Sequence, residues 1–119
     1  MEIKANIIIM SGVEDGVQHI FDSTNNDGQL DGERWSITIG RRDENNLALK
    51  NDTFVSRNHA KLHHNDGQWL LEDINSTNGT FTENIDQFFM DSRVVGTISL
   101  DINLMFRVGR TWLKLEILE

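Results

Sequence analysis

The sequence lacks cysteine and tyrosine, and it has no long apolar run. Zero cysteines exclude a disulfide framework, a thiolate metal site and a cysteine nucleophile, and zero tyrosines exclude tyrosine chemistry. The apolar stretch Ile7–Met10 near the amino end is far too short for a signal-peptide core or a membrane span. We therefore expect a cytoplasmic protein, or a cytoplasmic domain of a longer chain, with no membrane insertion.

Length and charge narrow the class further. A chain of 119 residues with 38% hydrophobic and 25% charged residues is typical of one globular domain. The net charge of −8 is uneven, because residues 1–33 carry −6 and residues 34–80 are neutral. This balance argues against a nucleic-acid partner, which needs a basic stripe. A small anionic ligand remains compatible, since distant exposed charges are largely screened beyond about 8 Å in physiological salt.

Long helical periodicity is absent, and period-two alternation takes its place. Apolar and polar residues alternate over Trp35–Ile39, Ile102–Val108 and Leu113–Ile117, as in half-buried strands. Ile7–Ile9 indicates a strand buried on both faces, or a β-branched run at a sheet edge. Shorter strand candidates are His19–Phe21, Leu47–Leu49, Ala60–His63, Gln68–Ile74, Thr80–Ile85 and Val94–Leu100.

Turn residues separate these strand candidates. Asp66–Gly67 lies between two of them and is a strong hairpin signal, and residues 23–33 form a polar loop before Trp35. Many short strands at roughly 8–12-residue spacing favour an antiparallel sandwich. We predict an all-β fold of two packed sheets with negligible helix.

Three polar clusters fall at the ends of predicted strands: Gly40–Arg42, Ser56–His59 and Asn75–Thr80. They offer guanidinium groups, hydroxyls and carboxamides, with few acids among them. Arginine matches phosphate geometry with two parallel hydrogen bonds, and an asparagine side chain can hold both a peptide N–H and a peptide carbonyl. If the loops converge at one end of the sandwich, this chemistry predicts capture of a phosphate on an extended peptide.

The order and spacing of these clusters resemble the forkhead-associated (FHA) domain family. The motif core spans residues 36–81. Phe106–Thr111 has a weaker similarity to the late strands of the family. The resemblance implies that residues 1–119 form a single domain, a β-sandwich of about eleven short strands. It also implies a non-enzymatic domain without a cofactor, which binds phosphothreonine peptides through loops at one end.

The resemblance assigns roles to individual residues of this sequence. The residues that match phosphopeptide contacts are Arg41, Ser56, Arg57, Thr77 and Asn78. The residues that match structural supports of the site are Gly40, His59 and Gly79. Phe54, two residues before Ser56, matches a position that often reads the third residue after the phosphothreonine. Phe54 favours an apolar residue there, with a core-facing Phe54 as the alternative.

Other interpretations of the same residues are weaker. Ser56, His59 and Asp73 invite a hydrolase triad, but their spacing is poor and no nucleophile-elbow pattern is present. His59 and His63 have the spacing of a zinc pair, which requires a helix rather than a strand. We therefore expect no metal site, a structural His59, and exposed His63 and His64.

Two further charged features have unremarkable expected roles. The acidic residues between Asp22 and Glu33 do not match the spacing of an EF-hand calcium loop, because Ser23 and Arg34 occupy its first and last positions. Arg42 is expected to be an exposed charge facing Asp43 and Glu44.

The predicted function is a phosphothreonine-peptide recognition module in signalling. Its partner would be a protein phosphorylated by a Ser/Thr kinase, since the added charge switches binding on. The rival interpretation is a phosphate-independent assembly module that uses the sandwich faces, with Phe88 and Phe89 as exposed apolar candidates. Replacement of Arg41 and Ser56 discriminates between the two, because only the first function needs them.

Overall fold

The computed structural model describes residues 2–84 and 90–116, and these residues form strands joined by turns. A single 3₁₀ turn, Ser23–Asn25, is the helical element of the described chain. The strands are β1 (Lys4–Ile9), β2 (Gln18–Asp22), β3 (Gln29–Asp31), β4 (Arg34–Gly40), β5 (Leu47–Ala48), β6 (Ala60–Asn65), β7 (Gln68–Asp73), β8 (Thr80–Glu83), β9 (Asp91–Arg93), β10 (Thr97–Ser99), β11 (Met105–Val108) and β12 (Thr111–Glu116).

Two sheets build the sandwich, which confirms the predicted fold class. Sheet I has the order β2-β1-β12-β11-β8-β9, and sheet II has the order β10-β7-β6-β4-β3. Their pairings are antiparallel, whereas the short β5 adds to β4 in parallel through Ile39 and Leu47. The central register of sheet II aligns Ile37 with Leu62 and Leu62 with Leu71. This alignment puts three apolar side chains on one face.

The core lies between the sheets and follows from the alternation in the sequence. Trp35, Ile37 and Ile39 of β4 are at most 1% exposed, while the residues between them are half-buried. The indole of Trp35 packs edge-on against Trp69 with ring centroids 6.3 Å apart. Burial of each such side chain contributes about 1.5–3 kcal/mol. The packed strands form a rigid frame for the loops at their ends.

Some strand boundaries differ from the predictions. Of the predicted strand Ile102–Val108, only β11 forms, because Asn103 adopts a left-handed φ of 68° in a turn. Of Val94–Leu100, only β10 forms, after a turn at Gly96 with φ 68°. The polar loop at residues 23–33 contains β3, whose three residues are all exposed and therefore give no alternation signal.

The run Ile7–Ile9 lies inside sheet I, not at its edge. β1 pairs with β2 on one side and β12 on the other. Ile7 and Ile9 are buried and Ile8 is half-buried, so one face of the strand is fully covered and the other partly.

Predictions for Ile85, Phe88, Phe89 and Ile117 lie outside the described residues. In the described chain, no helix is long and apolar enough to cross a bilayer.

Candidate functional site

An open groove of about 540 Å³ lies where the loops after β4, before β6 and after β7 meet. Antiparallel pairing of these strands brings their loops to the same end of sheet II. The groove is lined by Arg41, Thr53, Phe54, Val55, Ser56, Arg57, Asn58, Ile74, Asn75, Thr77 and Asn78. All five residues that match phosphopeptide contacts are among them. No described residue lining the groove is acidic.

Arg41 is placed by its backbone and by the glycine before it. Its N–H donates to the carbonyl of Ser56 at 3.0 Å, and its guanidinium Nη1 lies 3.4 Å from the carbonyl oxygen of Thr53. A Cβ at Gly40 would press on the carbonyl of Arg57 and lie 2.6 Å from the Asn45 amide nitrogen. Glycine at position 40 therefore lets the two loops approach closely.

The Ser56 loop is tied directly to the Thr77 loop. The backbone N–H of Thr77 donates to Ser56 Oγ at 3.1 Å. A hydroxyl that accepts one hydrogen bond still has its own proton to donate. Ser56 Oγ therefore remains a donor toward the groove while it fixes the position of the loop opposite.

His59 is fully buried beneath these loops and joins them. Its Nδ1 accepts the N–H of Ser56, and its Nε2–H donates to the carbonyl of Gly79, both at 2.9 Å. This pair of contacts selects the neutral tautomer with the proton on Nε2. Burial is the main cause that lowers the pKa of His59, and the Gly79 carbonyl and nearby carboxylates oppose it only in part.

Asp73, at the end of β7, organises the loop that carries Thr77 and Asn78. Its Oδ1 accepts the hydroxyls of Ser76 at 2.5 Å and Thr80 at 2.7 Å, and its Oδ2 accepts the N–H of Ser76 at 3.2 Å. These bonds give the carboxylate a structural role at the base of the loop. The backbone N–H of Ser56, not its hydroxyl, donates to His59. The structure therefore gives no support to a hydrolase triad of Ser56, His59 and Asp73.

Asn78 closes the groove from the side of the loop between β7 and β8. Its Nδ2 donates to the carbonyl of Phe54 at 2.9 Å, and the side chain is otherwise exposed. Gly79 follows with φ 88°, and a Cβ there would lie 2.8 Å from the Phe81 ring. Position 79 therefore requires glycine for both its conformation and its packing.

Phe54 lines the groove and does not face the core. It is 38% exposed, and the guanidinium carbon of Arg110 lies 3.7 Å from the centre of its ring. The core-facing alternative for Phe54 is therefore wrong. Arg57 is exposed on the same groove, and its carbonyl accepts the side-chain N–H of Asn45 at 2.8 Å.

Sequence reasoning missed four residues that shape this region: Asn45, Asp52, Asp73 as a loop anchor, and Arg110. Asn45 is buried and bonds the carbonyls of both Arg42 and Arg57. Asp52 accepts the N–H of Phe54, two residues later, which is a common use of aspartate in turns. The turn at Asp52 could be recognised in the sequence. The contacts that these residues make with distant parts of the chain depend on the fold.

Expectations for three polar side chains are wrong, and one of them is His64, which is half-buried with its ring edge-on to Trp69. His63 is 4% exposed, because its Nδ1 contacts Ser36 Oγ at 2.6 Å and its Nε2 contacts Glu72 at 2.8 Å across sheet II. Arg42 is exposed as expected but does not pair with Asp43, which binds Lys50 at 2.6 Å instead. In the calcium-like segment, the Asp27 carboxylate accepts the N–H of Asp22 and closes the turn locally.

The two packed sheets, with a polar groove between loops at one end, define the chain as a β-sandwich domain. The family model for the FHA domain matches residues 37–97. The chain belongs to the FHA domain family, as the three sequence clusters predicted.

Relatives of known sequence and structure agree with this assignment. The FHA domain-containing protein FhaB of Mycobacterium tuberculosis is 31% identical over 95 residues, which cover 76% of this chain and 56% of that protein. The chain thus spans about half the length of the curated relatives it matches. The FhaA FHA domain, solved in complex with the intracellular domain of Rv3910, is 26% identical with a TM-score of 0.66, over 94% of this chain and 99% of that chain.

A further solved structure comes from a structural and functional analysis of phosphothreonine-dependent FHA domain interactions. It is 24% identical, with a TM-score of 0.70, over 98% of both chains. At this identity, the similarity shows the shared fold.

Proposed function

We propose that this domain is a non-catalytic module that binds phosphothreonine peptides through the groove described above. The observation that carries the proposal is the groove lining: Arg41 and Arg57 together with the hydroxyls of Ser56 and Thr77, and no acid among the described lining residues. This lining contrasts with the net charge of −8 of the whole chain. It suits an anion that also has hydrogen-bond acceptors.

A phosphorylated side chain matches this lining chemically. Phosphate carries about −1.5 to −2 charges at neutral pH and presents three acceptor oxygens. Arg41 has no ion-pair partner within 4.0 Å among the described residues, and its one side-chain hydrogen bond is long at 3.4 Å. Its guanidinium can therefore turn to the phosphate at little cost, with the Ser56 hydroxyl as a second donor.

The groove also suits the peptide around the phosphate. Asn78 uses one amide N–H on Phe54 and retains a second N–H and its carbonyl oxygen for a peptide main chain. Ile74 gives the groove a half-buried apolar wall, which can accept the methyl group of phosphothreonine. The solved relative studied for phosphothreonine-dependent interactions supports this choice of residue.

The same geometry supports a binding role over a catalytic one. The one histidine that contacts Ser56 has its Nδ1 and Nε2 occupied by backbone groups. It is therefore not placed to take the Ser56 hydroxyl proton. The proposed partner is a protein phosphorylated by a Ser/Thr kinase, which places the function in signalling and in the cytoplasm, where ATP and such kinases occur. We propose that residues 1–119 act as a single domain in this role.

Titration of matched peptides tests the proposal. The probe is a fluorescent peptide mixture with randomised flanks around a fixed central phosphothreonine, compared with phosphoserine and unmodified threonine mixtures. We expect measurable binding of the phosphothreonine mixture, weaker binding of phosphoserine and none of the unmodified peptide. Equal affinity for all three mixtures would refute the proposal.

Variants separate the groove from the sandwich faces. Arg41→Ala removes a charge-assisted contact of about 1.5–3 kcal/mol, so affinity should fall about 10- to 150-fold. Arg42→Ala removes a neighbouring exposed charge that does not line the groove and serves as the matched control. Association that survives both Arg41→Ala and Ser56→Ala would favour the phosphate-independent assembly role.

A further inference from the structure

Arg110 is a further cation beside the groove, in addition to Arg41 and Arg57, and lies at the turn between β11 and β12. Its guanidinium carbon lies 3.7 Å from the centre of the Phe54 ring, which places the two side chains in a stacked arrangement. Phe54 lines the groove directly. The sequence motifs of the groove do not include Arg110, because it lies 53 residues after Arg57 in the chain.

The backbone around Arg110 is fixed by contacts with the Phe54 segment. Asp52 Oδ2 accepts the N–H of Arg110 at 2.7 Å, while Asp52 Oδ1 accepts the N–H of Phe54 at 2.9 Å. Gly109 packs so close that a Cβ there would lie 2.9 Å from the backbone of Phe54. One carboxylate and one close approach therefore hold the turn and the groove wall together. The stacked guanidinium is preorganised rather than freely mobile.

The charge of Arg110 is available to a ligand. Among the described residues, no carboxylate lies within 4.0 Å of its guanidinium. Asp52 is occupied by two backbone N–H groups and the Thr111 hydroxyl. Glu14 lines a smaller cavity next to Arg110 but forms no ion pair with it. Stacking uses the face of the guanidinium and leaves its edge donors free.

Arg41 and Arg110 flank the same short segment of the groove wall. Arg41 reaches the carbonyl of Thr53, and Arg110 covers the ring of Phe54. Thr53 lines both the groove and the smaller cavity that Arg110 lines. A peptide with its phosphate at Arg41 that follows this wall therefore meets Arg110 as a further cation.

We propose that Arg110, stacked on Phe54, forms a second anion subsite that selects ligands with an acidic group beside the phosphothreonine. This inference rests on the proposed function and names the ligand class of the same groove. It also replaces the apolar preference suggested by Phe54 in the sequence, because the guanidinium covers a face of that ring. The acidic group is a carboxylate side chain or a second phosphorylated residue, which share the chemistry that arginine recognises.

A position scan tests the second subsite. Peptides carry a central phosphothreonine in an alanine background, with aspartate or phosphoserine placed at one flanking position at a time. We expect at least one position where aspartate raises affinity about two- to fivefold, as for an exposed ion pair. Phosphoserine at that position should raise affinity more, because it carries more charge. Gain from aspartate identifies a carboxylate ligand, and gain from phosphoserine alone identifies a doubly phosphorylated one.

Arg110→Gln keeps a planar group over Phe54 but removes the charge, so it should abolish the gain and leave the affinity of the alanine-background peptide within about twofold. Arg34→Ala removes an exposed cation that lines a different groove and is the control for net charge. An acid preference that survives Arg110→Gln, or no acid preference at any position, overturns the second subsite. If the wild-type protein binds none of the phosphopeptides, that result would instead overturn the proposed function.

Discussion

His59 Nε2 lies 2.9 Å from the carbonyl oxygen of Gly79, 20 residues later in the chain. The other ring nitrogen accepts the N–H of Ser56, so one buried imidazole connects the two loops that line the groove. The groove is therefore held from below by a side chain that does not line it. Its geometry depends on a neutral, correctly oriented histidine.

His59→Ala should destabilise the fold strongly. The substitution leaves the N–H of Ser56 and the carbonyl of Gly79 without their partner, and each buried unsatisfied group costs about 1–3 kcal/mol. Urea denaturation followed by tryptophan fluorescence measures the loss in the free energy of unfolding. His64→Ala is the control, because this variant loses the edge-on contact of His64 with Trp69 but leaves both loop-joining hydrogen bonds of His59 in place. A loss below about 1 kcal/mol for His59→Ala would contradict the bracing role.

The lowered pKa of His59 makes stability depend on pH. The pKa of an unfolded histidine is about 6.5, and the pKa of His59 in the folded protein lies below that value mainly because of burial. The unfolded state thus binds a proton first, so the stabilising contribution is complete above pH about 6.5 and is lost as pH falls through the folded pKa. His59→Gln removes this titration, so the stability difference between the two proteins should shrink between pH 7.5 and 5.5. The pKa of His64 is also lowered by burial, but His64 is present in both proteins.

Sequence periodicity predicted the strands whose two faces differ. Trp35–Ile39 alternates because β4 covers the core with one face only, and that pattern is visible without a structure. β3 and β9 are exposed along their whole length, so they carry no alternation. Their pairing with neighbours is a property of the assembled sheet.

The groove could be predicted only as far as its local motifs extend. Gly40, Ser56 and Thr77 stand in recognisable clusters, and strand order brings those clusters to one end. Asp52 and Arg110 act across 58 residues of sequence, through a contact that exists only after β11 and β12 have folded. Burial of His63 likewise required the cross-strand partners Ser36 and Glu72.

Gly40→Ala should cost stability through steric contact alone. Position 40 has an ordinary backbone conformation, but an added methyl group would meet the Arg57 carbonyl and lie 2.6 Å from Asn45 Nδ2. Overpacking of this kind typically costs about 1–3 kcal/mol, and displacement of the Arg57 loop should also weaken phosphopeptide binding. Gly67→Ala provides the contrast, because the φ of Gly67 is 75° but no atom of the described residues would lie within 4 Å of a Cβ added there. That variant should lose stability with unchanged peptide affinity; equal peptide affinity in both variants would count against the close approach at Gly40.

Asp73→Asn should affect binding more than its position outside the groove lining suggests. The amide replaces an oxygen that accepts the N–H of Ser76, and the loop bearing Thr77 and Asn78 loses that anchor. We expect a stability loss of about 1–3 kcal/mol and a clear decrease in affinity for the phosphothreonine peptide mixture. Asp66→Asn, in the β6–β7 hairpin turn with φ 52°, is the matched control, because asparagine tolerates that conformation. Similar affinities for the two variants would show that Asp73 does not position the groove.

Binding of the phosphopeptide should weaken as pH falls below about 6. The second ionisation of a phosphorylated side chain has a pKa of about 6, and the guanidinium groups of Arg41 and Arg57 favour the dianion over the monoanion. Affinity should therefore be constant from pH 8 to 7 and decrease through pH 6 to 5.5, as measured by fluorescence polarisation under conditions where circular dichroism shows the folded domain. His59→Gln separates this effect from the titration of His59, since a ligand-based effect leaves the same midpoint in both proteins. A midpoint that moves with His59→Gln would assign the pH dependence to the buried histidine and not to the phosphate.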